Sequence, residues 1–148
     1  MIGDAFGGPY EGRSPPVDAT WERARWSSSD DTQLTAATCD AIVASNGEAI
    51  PERIAAAFAD GFRHRRFSGL GASTTKALRE LALGGHWALV GAKGDRAAGN
   101  GAAMRIAPVA FVVDPQSDGG RQRIRDISRI THHHEEAYAG ALAVAVAI

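Results

Sequence analysis

The chain has 148 residues, 45% of them hydrophobic and 22% charged, with a formal net charge of -1 and a single cysteine. That length suits one domain with a real core, burying about 70% of the surface its unfolded form exposes. The near-neutral balance, without a basic stripe, argues against a nucleic-acid or membrane-surface role, and one thiol excludes an intrachain disulfide framework.

Met1-Ile2-Gly3-Asp4 carries no basic segment followed by an apolar run, so no secretory leader is read there. The lone Cys39 is expected to be a small buried thiol, which suits a reducing cytoplasm. From Gly3 to Gly12, small residues surround Phe6 and Tyr10, a pattern that predicts a short helix breaking at Gly8-Pro9. Arg13 to Thr20, with Ser14-Pro15-Pro16, reads as an irregular loop leading to Trp21 and Trp26.

The stretch Arg25 to Thr35 holds two adjacent carboxylates where a loop turns into a helix. Leu34, Ala37, Ala41, Ile42 and Ser45 recur at helical spacing, and Asn46-Gly47 closes the segment with residues that tolerate the left-handed region. With Asp30 as N-cap, Gln33 falls at N3 and completes a capping box, so the helix start accounts for one carboxylate. The second repels the first, and a hard cation would relieve the conflict: Ser29, Asp30, Asp31 and Thr32 offer an oxygen set within one turn that suits Mg²⁺. The plainer reading is an acidic, solvated helix start.

A second helix is predicted from Pro51, with Ile54, Phe58, Gly61, Phe62 and Arg65 on one face and His64 solvated or pairing with the helix end. Ser73 to Lys76 begins another, with Ala77, Leu78, Leu81 and Ala82 inward, ended by Gly84-Gly85. Residues 91–101 then form a glycine-rich loop, followed by a helical run, Ala102 to Ala107. Such a loop feeding a helix N-terminus exposes backbone N–H groups that bind phosphate, although the bare pattern fits a plain connector equally well. It is neither a Walker loop nor a dinucleotide fingerprint.

Pro108 is expected to end or bend that run, and Val109 to Val113 does not distinguish helix from strand. Residues 114–120 read as a loop, and the helix after it turns Ile124, Ile127 and Ser128 inward. His132, His133 and His134 point in different directions from regular structure, which argues against a shared zinc ion. The expectation is one histidine facing a pocket and the others solvated. The apolar run from Ala137 to Ile148 is shorter than a membrane span and reads as a buried helix.

Four motifs in order resemble those of the ADP-ribosylglycohydrolase family, which includes the dinitrogenase reductase-activating glycohydrolases and the ADP-ribosyl-acceptor hydrolases. They are Gly3-Asp4-Ala5-Phe6-Gly7 with Glu11 behind it, Ser29-Asp30-Asp31-Thr32, Gly99-Asn100-Gly101-Ala102-Ala103-Met104-Arg105, and Ser128-Arg129-Ile130-Thr131-His132. The resemblance implies an all-α, orthogonal multi-helix fold with a cleft holding two Mg²⁺ ions, where the bond joining ADP-ribose to an acceptor is hydrolysed. By the same carry-over, Ser29, Asp30 and Asp31 are metal ligands, and Glu11 and Asp31 are catalytic, Glu11 positioning or deprotonating water. Gly99, Asn100, Gly101 and His132 contact substrate, an ADP-ribosylated protein or a small ADP-ribose conjugate.

One departure from the family pattern bears on activity. Family members carry a second Asp-x-Asp-Thr/Ser metal motif far downstream of the Thr-His motif, and after His132 only Glu135 and Glu136 are acidic here. Residues 1–148 are therefore expected to be the N-terminal half of one domain, truncated, with half the metal ligands and impaired activity, needing a C-terminal half or a dimer partner. Two other classes compete with the enzyme reading. One is a non-catalytic ADP-ribose-binding or structural relative, as lens crystallins related to this family are. The other is a helical subunit that pairs with another chain through the Ala137 to Ile148 segment.

Overall fold

A computed structural model describes residues 2–14 and 26–148. The protein is all-α, as expected. In chain order the helices are α1 (Ile2–Gly7), α2 (Asp30–Ala44), α3 (Pro51–Arg63), α4 (Ala72–Ala82), α5 (Ala107–Ala110), α6 (Asp118–Arg129) and α7 (Glu135–Ala147). Short 3-10 turns lie at Gly8–Tyr10, Asp95–Ala97 and Ala103–Arg105. Two two-residue strands, β1 (Ala92–Lys93) and β2 (His132–His133), pair in parallel with Ala92 opposite His132. Trp21, Arg25 and most of the predicted proline loop lie outside the described residues.

The α3 pattern works as the sequence suggests. Pro51 occupies the first helical position, and Ile54, Ala55, Phe58 and Ala59 are buried at three- and four-residue spacing. This face packs on α2 and α4. Arg65 is not on it: the helix ends at Arg63 and Arg65 turns out to solvent with φ 53°. On α6, Gly120, Ile124, Ile127 and Ser128 face inward. The core joins Leu34, Ile42, Ile54, Phe58, Leu78, Ile106, Val109, Ile124, Ile127 and Ile130 into one cluster.

Several expectations are corrected. Ser29, not Asp30, caps α2: its Oγ accepts from the Asp31 N–H at 3.2 Å. Gln33 makes no capping box. Its side chain instead crosses to the segment before α4, donating to Ser68 Oγ at 2.9 Å and accepting from the Ser68 N–H at 2.7 Å. The run after the glycine loop is a single 3-10 turn, and Pro108 sits in the first turn of α5 instead of ending a helix. Helix α6 starts at Asp118, where Ser117 caps it, so the loop before it is three residues shorter than read. Cys39 is exposed, because α2 turns Thr38, Ala41 and Ile42 inward instead. Helix α7 buries only Ala137, Ala141 and Ala145, a four-residue repeat, while Val146 and Ile148 are exposed.

Among the described residues no helix is long and apolar enough to cross a membrane.

Candidate functional site

The site is assembled by three segments that meet at the start of α2. First, the short N-terminal helix is tied to it: Asp4 Oδ2 accepts from the Ser29 N–H at 2.9 Å. Burial raises the Asp4 carboxyl, but hydrogen bonds from Thr32 and Ser29 outweigh it and hold the group below the ordinary carboxylate range. Phe6 packs edge-on to Trp26, ring centroids 5.9 Å apart, which keeps α1 against the approach to α2.

Second, the two aspartates occupy the first two positions of α2 and differ in environment. Asp31 accepts from Ser29 Oγ at 3.0 Å. Asp30 is buried, and its carboxyl is pushed up to about 6, first by burial and then by the negative charge of Asp31 and, more weakly, of Glu11, against hydrogen bonds from its own N–H and that of Gly71. A buried carboxylate beside a second one is unfavourable in the absence of positive charge. Ser29, Asp30 and Asp31 thus present hard oxygen donors, the chemistry that suits Mg²⁺. Among the described residues no group of three or more His, Cys, Asp or Glu side chains is gathered to hold a metal ion, so the acidic donors number two.

Third, the glycine loop and the His132 segment are joined by the β1–β2 pair. Lys76 and Glu80 of α4 hold its near end, Lys76 Nζ donating to the Gly91 carbonyl at 3.0 Å and Glu80 Oε2 accepting from the Gly91 N–H at 2.9 Å. At the far end Gly99 and Gly101 lie on the His132 imidazole. A Cβ at Gly101 would fall 2.5 Å from His132 Cε1 and 3.1 Å from Thr74 Oγ1, so only glycine fits. His132 is buried, accepts or donates at Nδ1 to Thr131 Oγ1 at 2.7 Å, and is pushed down to about 4 by burial and the nearby Arg105 charge.

The three histidines divide as expected in part. His132 alone lines the cavity; His133 bonds the Val90 carbonyl at 2.6 Å, and His134 caps α7 by accepting from the Glu136 N–H.

These segments line one cavity of about 280 Å³. Glu11, Asp30, Asp31, Gly99, Asn100, Gly101 and His132, all singled out from sequence, share its wall. Ser29 stands just behind, bonded to Asp31.

A family model described as ADP-ribosylglycohydrolase matches residues 1–148. The chain belongs to the ADP-ribosylglycohydrolase family. It is similar to an uncharacterized protein of Archaeoglobus fulgidus, 30% identical over 165 residues, an alignment covering 99% of this chain and 51% of that protein. The chain thus spans about half the length of the curated relative it matches.

Sequence reasoning assigned no site role to four other features of this family member. Gly69, Gly71, Ala72, Ser73 and Thr74, the loop and first turn of α4, also line the cavity. Gly71 precedes α4 without a side-chain cap bond, so besides the start of α2 the cavity meets the N-terminus of α4, and not one behind the glycine loop, where only a 3-10 turn follows. Asp4 stood inside a quoted motif without a role, and Met104 and Arg105 followed the glycine loop. Only the Gly69-Leu70-Gly71 spacing before a Ser-Thr-Thr helix start was a usable signal.

Proposed function

We propose that this protein is a glycosidase of its family, hydrolysing the bond that links ADP-ribose to an acceptor, with Mg²⁺ held by Ser29, Asp30 and Asp31. The observation that carries the reading is the convergence, in one cavity, of two carboxylates at a helix start, Glu11, a glycine loop and a neutral buried histidine. Held by Ser29, Asp30 and Asp31, Mg²⁺ would supply positive charge to offset the two aspartates and Lewis acidity to lower the pKa of a water.

The chain's own residues do the rest. Cleavage at the anomeric carbon develops oxocarbenium character, and Glu11 on the cavity wall is placed to orient or deprotonate the attacking water. Gly99 and Gly101, without side chains on either side of Asn100, let backbone groups approach the diphosphate, and the first turn of α4 offers further N–H donors. Where the Thr131 hydroxyl donates to Nδ1, the ring proton of His132 lies on Nε2, beside Gly99, available to a ligand oxygen. The intact Glu11, Asp30 and Asp31 set favours this reading over a non-catalytic relative.

The test uses a chain extended to the length of its relatives. Asp30→Asn and Asp31→Asn are each expected to reduce Mg²⁺-dependent ADP-ribose release about 10²-fold or more while leaving the circular dichroism spectrum unchanged. Unaltered turnover in both variants removes the pair from the mechanism.

A further inference from the structure

Arg105 is fully buried, yet no acidic side chain among the described residues pairs with it. One guanidinium nitrogen donates to the Gly101 carbonyl and another to the Ile127 carbonyl at 3.2 Å, while Nε is a buried donor without a partner. The group also lies over the Phe58 ring, 5.2 Å from its centroid. Burial pulls its pKa down to about 9, which still leaves it a cation at neutral pH. A buried charge of this kind is costly, and replacing buried charged groups by apolar side chains of similar volume is often neutral or stabilising. The charge therefore calls for an explanation other than stability.

Its two carbonyl partners supply one. Gly101 ends the glycine loop, and Ile127 lies in the last turn of α6, five residues before His132. The loop packs directly on the imidazole, with no room for a Cβ between them. The Arg105 charge is also felt at His132.

We infer that Arg105 is a positioning residue of the ligand site: it clamps Gly101 to Ile127, holding the glycine loop and the His132 segment at one spacing. Its positive charge, unmatched by any described acidic side chain, is offset by the anionic diphosphate of the bound ligand. This rests on the ADP-ribose reading above. A diphosphate on the loop supplies the negative charge that the buried guanidinium lacks, with Gly101 as the link.

The test is calorimetric titration of ADP-ribose, with saturating Mg²⁺, into the chain extended to the length of its relatives, in its wild-type, Arg105→Met and Arg105→Lys forms, alongside thermal melts. Arg105→Met is expected to melt at or above the wild-type temperature, keep the same number of sites per chain, and bind ADP-ribose about tenfold or more weakly. Arg105→Lys, which retains charge and loses the fork, is expected to fall between. If the Met variant does not fold, the Lys variant decides by the same readout. A scaffold role predicts something different: fewer sites at unchanged Kd, or collapse of both variants, and either result overturns the inference. So does an unchanged Kd in Arg105→Met. A wild-type protein that does not bind ADP-ribose removes the underlying reading itself, an outcome separate from any effect of the variants.

Discussion

At the scale of single residues, Asp30 shows what a buried carboxylate beside a second one costs the fold. Its carboxyl loses a proton near 3.8 in the unfolded chain and near 6 in the folded one, because burial and the Asp31 charge disfavour the anion. Between those values the folded state holds more protons, so stability falls as pH rises, and above about 6 the whole cost is present. Asp30→Asn removes that charge. Without Mg²⁺ at neutral pH the variant is expected to melt roughly 3–6 °C above wild type, and below the unfolded pKa the gain should vanish. Melting curves at the two pH values check this; a variant no more stable at neutral pH would show that the Asp30 anion is already compensated. The adjacency of the two carboxylates was readable from the chain, since like charges on neighbouring residues stand out against any helix start. Asp4 was not, because its value lies in a hydrogen bond to Ser29 across 25 residues, and nothing local marks such a contact.

At the scale of elements, legibility followed periodicity. Helices α3 and α4 each carry enough apolar residues at helical spacing to announce their inner faces, and Asn46 and Gly47, both at positive φ, close α2 where their types said they would. The segments around the site are different. A two-residue strand has no period, and the 3-10 turn at Ala103–Arg105 looks like a helix in sequence but turns Arg105 into the core. Cys39 was misplaced for a related reason: α2 interleaves Ala and Thr with few large apolar residues, so its inner face is weakly marked. The β1–β2 pair is nevertheless what fixes the depth of His132. Gly91, at φ 97°, admits the Thr131 carbonyl so closely that a Cβ would stand 2.9 Å from it. Gly91→Ala is expected to cost about 2–4 kcal/mol from the left-handed backbone and the clash together, and to weaken ADP-ribose binding, because β2 carries the histidine. Gly119→Ala, within α6 and with nothing within 4 Å, is the control and should be neutral to stabilising by up to about 1 kcal/mol. Denaturant melts of the pair read the difference, and equal stability would show that the parallel bridge is dispensable.

At the scale of the whole molecule, the supply of donors and the distribution of apolar surface lead to the same expectation. Two carboxylates and one hydroxyl fill at most half of the six-oxygen shell that Mg²⁺ prefers, and each ion of a two-metal site needs its own. On the proposed reading, the remaining protein ligands would come from outside the described residues. The surface carries a related signal: Phe111, on the turn that ends α5, is 77% exposed and Val146, on α7, is 56% exposed, and these two helices pack together. Apolar side chains left open in this way favour association with another chain or segment. Residues 1–148 on their own are therefore expected to self-associate, visible as a rise in mean mass by light scattering between a dilute and a concentrated sample. They are also expected to release ADP-ribose from a modified arginine or serine peptide about 10²-fold more slowly than a chain extended to the length of its relatives. A monomer at both concentrations that matched the longer chain's rate would mean that Ser29, Asp30 and Asp31, with water, hold all the metal the reaction needs.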